Sequence, residues 1–206
     1  LLPGFAWLIF YLQEDLHPEP KRLLSLVFIM GIVSAFFALF IQNSIVSANC
    51  ATANPLSLNC ASFQVEGLSL TPILIILFAL VEELVKFAAV YFTIKGSPAF
   101  NEPVDAMLYA IVAALGFATI ENIGVIMIGR VPAVTLVSEL FEVASLRFVG
   151  ATLLHSLSSA IIGYYWAISI RDFGARRFVI WGIIIATALH AAFNYLTLVY
   201  GNVMFT

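Results

Sequence analysis

Val81-Glu82-Glu83-Leu84-Val85-Lys86 stands near the middle of an apolar run from Pro72 to Ile94. The run is long enough to cross a bilayer as a helix, where each charge costs on the order of 2.5–3.5 kcal/mol even on lenient insertion scales. A helix does not need Glu82, Glu83 and Lys86 in order to form, so their presence asks for a function. At about 100° per residue Glu82 and Lys86 fall on one stripe, about 40° apart, with Glu83 flanking them. A Glu82–Lys86 pair neutralises itself and can pack two helices together. Glu83 is then left over, and needs a proton, a cation or a donor from elsewhere.

The composition sets the surroundings. With 206 residues, 62% hydrophobic and 10% charged, and a mean hydropathy of +1.04, the chain cannot be built around an ordinary soluble core. It reads as an all-α, polytopic transmembrane helical bundle in the cell membrane, one integral-membrane domain over 1–206. The formal net charge of −3 is too small and too scattered to suggest nucleic acid or an acidic substrate. Without an initiating Met, the N-terminus is expected to be trimmed or processed. Leu1 to Leu12 lacks a basic leader and a small-residue cleavage site, and reads as the end of a transmembrane helix.

Six spans are expected. After Leu1–Leu12 comes a connector, Gln13 to Lys21, in which His17-Pro18-Glu19-Pro20 forbids helix and His17 is solvated. Arg22 to Ile41 is the second span, followed by a polar segment from Gln42 to Gly67. Cys50 and Cys60 in that segment can close a short disulfide loop if they face an oxidising compartment, and are otherwise spare thiols. Thr71-Pro72 opens the third span with a cap and a first-turn proline. A connector broken by Gly96 and Pro98 leads to the fourth span, Val104 to Ile128, with Glu102 and Asp105 at its start, where a carboxylate complements the helix dipole. Ala133 to Ser145, mixing apolar residues with Glu139 and Glu142, reads as an interfacial helix. Leu146 to Ile170 and Phe178 to Tyr200 are the fifth and sixth spans.

Lys21, Arg22, Lys95, Arg171, Arg176 and Arg177 fall in alternate connections, while the intervening loops hold only Arg130, with Arg147 at a helix edge. By the positive-inside rule the connectors at 13–22, 95–102 and 171–177 are cytoplasmic. The segments 42–67 and 129–145 are then extracytoplasmic, as are both termini.

More polar residues lie deep in the later spans. Phe117-Ala-Thr-Ile-Glu121-Asn122 places a carboxylate and an amide inside the fourth; His155 stands in the fifth; His190 and Asn194 stand one turn apart in the sixth. Counted from the outer helix ends at about 1.5 Å per residue, Glu82, Glu83, Glu121, His155 and His190 all lie within roughly 8 Å of one another in depth. Each alone has a plain explanation. A lone intramembrane His usually packs and hydrogen-bonds, Glu121 can bond Asn122 or Arg147, and Asn194 can be interhelical glue. Tyr109, Tyr164, Trp166 and Trp181 read as packing or interface aromatics. Six such residues at matching depth on four helices point instead to one site.

Two chemistries fit these atoms. A carboxylate can take a proton from water while His-x-x-x-Asn, at 190 and 194, donates to the developing oxyanion. The same residues can instead hold a metal, with His155, His190 and Glu121 as ligands and Glu82 or Glu83 as base, since catalytic zinc favours three protein ligands plus water. The zinc helix signature His-Glu-x-x-His is absent.

Glu82-Glu83-x-x-Lys86, Phe117-x-x-x-Glu121-Asn122, His155 and His190-x-x-x-Asn194, in this order on successive helices, resemble the PrsW family of intramembrane proteases. The likeness extends to Glu102-Pro-Val-Asp105 and to the Pro-Glu-Pro connector at 18–20, so it covers nearly the whole chain. The wider clan includes type II CAAX prenyl endopeptidases and bacteriocin-immunity-type membrane proteases. Their motif has an Arg after the Glu pair and a Phe-x-x-x-His, so Lys86 and Glu121 point to PrsW and away from the prenyl-protein branch. The resemblance implies hydrolysis of a peptide bond in a membrane-anchored protein, an anti-sigma factor in known cases, on the extracytoplasmic side. It also implies Glu82 or Glu83 as water activator, with His155, His190 and Asn194 supporting, with or without a metal; Zn2+ is the candidate cofactor if one takes part, and Lys86 reads as a countercharge that tunes the glutamates. The cysteine segment has no counterpart in the family pattern.

A proton- or ion-coupled transporter can use the same buried Glu, Lys and His residues. Against that reading, the spans show no inverted repeat and only one polar cluster. A catalytically idle scaffold is the third reading, and it predicts that the cluster tolerates alanine.

Overall fold

Pro20 cannot continue a helix backwards, but its carbonyl accepts from Leu23 N at 2.8 Å and Leu24 N at 3.1 Å, and helix α1 starts there. α1 spans Lys21–Ala53. The computed structural model of the chain describes residues 9, 19–53, 72–127, 145, 148–172 and 174–204. Helix α2 spans Pro72–Ile94, α3 Pro103–Met127, α4 Leu153–Arg171 and α5 Arg176–Met204. A π-helical turn, Phe148–Thr152, leads directly into α4.

The helices close a circuit: α1 packs on α2, α2 on α5, α5 on α4, α4 on α3, and α3 back on α1. α2 also touches α3 and α4, so its charged face points into the middle of the circuit. α3 is the most enclosed element, with Tyr109, Val112, Ala113, Ala114 and Leu115 fully buried. Small residues let it come close to its neighbours. A Cβ added at Gly31 of α1 would run into the Ala113 carbonyl, one at Gly116 into the Phe28 carbonyl, and one at Gly163 of α4 into Met107 Cα. Such approach is how helices gain packing contacts where lipid removes the hydrophobic drive between them.

The bundle's polarity runs opposite to that of a soluble domain. Phe36, Phe37, Phe40, Ile73, Phe92, Trp181 and Tyr195 are exposed, while Glu83, Lys86, Asn122, Thr152, His155, Ser158 and His190 are buried. That is the arrangement a bilayer demands. Trp166 packs inward, its ring 5.1 Å from Phe100 and 5.4 Å from Phe87. Tyr109 is a core residue whose hydroxyl donates to Glu19 Oε2 at 2.5 Å, tying the Pro-Glu-Pro connector to α3.

Among the described residues, four helices are long and apolar enough to cross a membrane: Lys21–Ala48, Pro103–Gly124, Gly150–Arg171 and Arg176–Val199. The expected count of six spans is therefore not reached among the described residues. Leu1–Leu12 lies outside them apart from Ile9. α2 has the length, 23 residues, but Glu82, Glu83 and Lys86 interrupt its apolar character. α1, which corresponds to the expected second span, also differs from expectation: it runs on to Ala53, although the Asn- and Ser-rich sequence from Gln42 reads as a polar segment. No proline or glycine stands between Gln42 and Ala53, and Ser44 Oγ satisfies itself on Phe40 O at 2.8 Å, so the chain stays helical until just before Asn54-Pro55. The partner half of a Cys50–Cys60 bridge and nearly all of the 133–145 helix fall outside the described residues.

Ends behave as their residues require. Asp105 Oδ2 accepts from Glu102 N at 2.8 Å and Asn101 N at 3.1 Å, capping the entry to α3. Gly174, at φ +80°, closes α4 by donating its N–H to Ser169 O at 2.7 Å.

Candidate active site

α2 offers three charges on one face, and three neighbouring helices answer them. Lys86 pairs with Glu83, its Nζ 2.7 Å from Oε1, and both side chains are sealed from solvent. The pairing is i,i+3, unlike the Glu82–Lys86 pair suggested by the helical stripe, because other helices compete for the two carboxylates. Glu83 Oε1 also accepts from Ser158 Oγ on α4 at 2.9 Å and from His190 Nδ1 on α5 at 2.7 Å. Glu82 instead accepts from Gln42 Nε2 on α1 at 2.8 Å.

The histidines take their tautomers from these partners. An ionised carboxylate only accepts, so His190 carries its proton on Nδ1, towards Glu83, and neutral His190 offers the Nε2 lone pair to the interior. Nε2 lies 3.5 Å from Glu82 Oε2, an oxygen that is buried and has no hydrogen-bond partner. His155 receives Lys86 Nζ at Nδ1, 3.2 Å away, and sets Nε2 against Glu121 Oε2 at 2.6 Å. The ammonium can only donate, which puts the His155 proton on Nε2. The two imidazoles stand perpendicular with centroids 4.9 Å apart, and Phe117 closes the floor 5.3 Å from His155 and 5.3 Å from Lys86 Nζ.

Helix geometry explains how His155 reaches the cluster. Asn122 Nδ2 donates to Thr152 Oγ1 at 3.1 Å, and Thr152 ends the π-helical turn immediately before α4. Such turns rotate the following side chains relative to a regular helix, and they recur near functional sites.

Of the residues singled out by sequence, Glu82, Glu83, Lys86, Glu121, His155 and His190 meet in one cluster. Asn194 lies one turn beyond His190, half-buried and outside that hydrogen-bonded group. Gln42 and Ser158 were not singled out, yet both bond directly to the glutamate pair.

A metal finds a suitable donor set here. One ligand atom each from Glu82, His155 and His190 lies within 4.8 Å of the others. The orphaned Glu82 Oε2 and the outward lone pair of His190 suit a cation, and Glu83 behind His190 is the carboxylate that metal-bound histidines commonly lean on. His155 joins by releasing one of its two contacts. Among the carboxylates facing this space Glu121 is the open one, its side chain 39% exposed against 12% for Glu82 and 0% for Glu83.

Known proteins resemble the chain over nearly its whole length. The family described as PrsW family intramembrane metalloprotease matches residues 19–206. A Protease PrsW from Geobacillus kaustophilus is 29% identical over 95% of this chain and 76% of its own length. The Protease PrsW of Bacillus subtilis is 25% identical over 98% of the chain and 82% of its own. That of Oceanobacillus iheyensis is 30% identical over 80% of the chain and 65% of its own. No solved structure matches the chain significantly. By the extent of the family match, the chain belongs to the PrsW family and is an intramembrane protease.

Proposed function

We propose that the chain, acting as a single domain, cuts a membrane-anchored protein of anti-sigma-factor type close to the extracytoplasmic face. The observation that carries this reading is the convergence of Glu82, His155 and His190, from three helices, within 4.8 Å inside a bundle with an apolar exterior. The sidedness rests on charge. Lys21, Arg22, Lys95, Arg171, Arg176 and Arg177 stand at the start of α1, the end of α2, the end of α4 and the start of α5, which alternation brings to one end of the bundle. That end is then cytoplasmic.

Each residue has a separate task. Glu82, His155 and His190 would hold a zinc ion, with Glu83 fixing His190 and Lys86 balancing the added negative charge. The ion, when bound, supplies a Lewis acid for the scissile carbonyl and makes water more acidic. Glu121, the open carboxylate, takes a proton from water as its oxygen bonds to the carbonyl carbon. It returns that proton to the amide nitrogen as the carbon–nitrogen bond breaks. Asn194, on the His190 face of α5, donates to the oxyanion between these events.

The test is cleavage of a single-span reporter by purified protein in bilayers. Wild type cuts, whereas Glu82→Ala and His190→Ala insert in the membrane and do not. Full activity in both variants would overturn the assignment.

A further inference from the structure

Gln42 reaches the catalytic cluster from α1. Its Nε2 donates to Glu82 Oε1 at 2.8 Å, across 40 positions of sequence. The direction follows from chemistry: the carboxylate accepts, so the amide nitrogen faces it. The contact exists because α1 continues past Ile41 instead of opening into a loop, with Ser44 bonded back to Phe40 O within the added turns.

The consequence falls on the other oxygen. With Oε1 held by Gln42, Glu82 turns Oε2 towards His190 Nε2, 3.5 Å away, and that oxygen has no partner of its own. A glutamate side chain with three rotatable bonds keeps a productive pose only when its neighbours hold it there.

We propose that Gln42 is a positioning residue of the proteolytic site, whose carboxamide aims the Glu82 carboxylate at the space shared with His155 and His190. This rests on Glu82 belonging to the site as described above. α1 is thereby part of the catalytic assembly and more than a wall of the bundle. A packing role needs only side-chain volume, whereas a positioning role needs the N–H donor.

The full chain, purified and reconstituted in bilayers, separates these roles. Gln42→Met keeps length and volume without a donor, and Gln42→Glu keeps the shape while setting one carboxylate against another. Two quantities are read: the zinc dissociation constant by chelator competition, and kcat and KM on the single-span reporter. Gln42→Met is expected to weaken zinc binding and lower kcat by about 10–100-fold each, as loss of an outer-shell partner does. KM should stay within about twofold, because substrate contacts are untouched. Gln42→Glu should lose at least as much, and it decides the matter alone if Gln42→Met fails to assemble. Wild-type zinc affinity and kcat in either variant overturn the proposal. If wild type binds no zinc, the metal reading fails, yet kcat still judges Gln42: a fall at constant KM supports positioning, and no change refutes it.

Discussion

Glu83 Oε1 and His190 Nδ1 stand 2.7 Å apart between α2 and α5, and the same oxygen also takes Lys86 Nζ at 2.7 Å and Ser158 Oγ at 2.9 Å. Three donors on one buried oxygen leave it no capacity to receive a proton from water. The adjacent glutamates, equivalent in the sequence motif, are therefore not equivalent in space. Each keeps a buried Oε2 without a hydrogen-bond partner, but Glu83 spends Oε1 on the histidine and the lysine, whereas Glu82 sets its Oε2 3.5 Å from His190 Nε2.

Glu83→Gln keeps the shape and weakens the acceptor behind His190. Cleavage and zinc affinity should each fall by about 10–100-fold, the usual effect of losing a carboxylate behind a metal-bound histidine. Chelator competition and reporter cleavage measure the two. Unchanged values would show that His190 needs no orienting partner.

Lys86→Met strands a carboxylate in the interior. Losing one member of a buried pair costs about 3–5 kcal/mol, while replacing both by uncharged groups of similar size restores much of it. Denaturant unfolding in detergent should thus rank wild type above Lys86→Met, with Lys86→Met/Glu83→Gln in between or higher. The double variant should remain inactive, since His190 has lost its anchor. A Lys86→Met protein as stable as wild type would mean that the pair contributes nothing to folding.

Gly31→Ala and Gly116→Ala test the close approach of α1 and α3. Each new methyl group meets a carbonyl on the facing backbone, and overpacking of this kind costs about 1–3 kcal/mol. The melting temperature should drop in both, with zinc bound per folded molecule unchanged. Equal melting temperatures would show that the two helices can separate freely.

Much of the site could be read from the chain because intramembrane charge has no cheap structural use. Glu82, Glu83, Lys86, Glu121, His155 and His190 stand out against apolar spans, and all six meet. Asp105 at the start of α3 was equally readable, since capping is local. Gln42 was hidden for the opposite reason. It lies among Asn and Ser residues whose polarity resembles a loop, and only the absence of proline and glycine up to Ala53 hinted that α1 continues. Ser158 was one serine among several in α4, with nothing local to mark which faces α2. The choice of Glu83 over Glu82 by Lys86 could not be read from helical periodicity either. Both spacings suit an ion pair, and partners on α1, α4 and α5 decide between them.

Cleavage of the membrane-anchored substrate, as proposed, requires a zinc ion at Glu82, His155 and His190. Elemental analysis of the purified protein, with reporter cleavage before and after chelation, tests it most directly. One zinc per chain should be present, leave together with activity, and restore activity when returned; Glu82→Ala, His155→Ala and His190→Ala should each lack it. Full cleavage by protein stripped of metal would rule out a catalytic zinc, and would return water activation to the glutamates and oxyanion binding to Asn194.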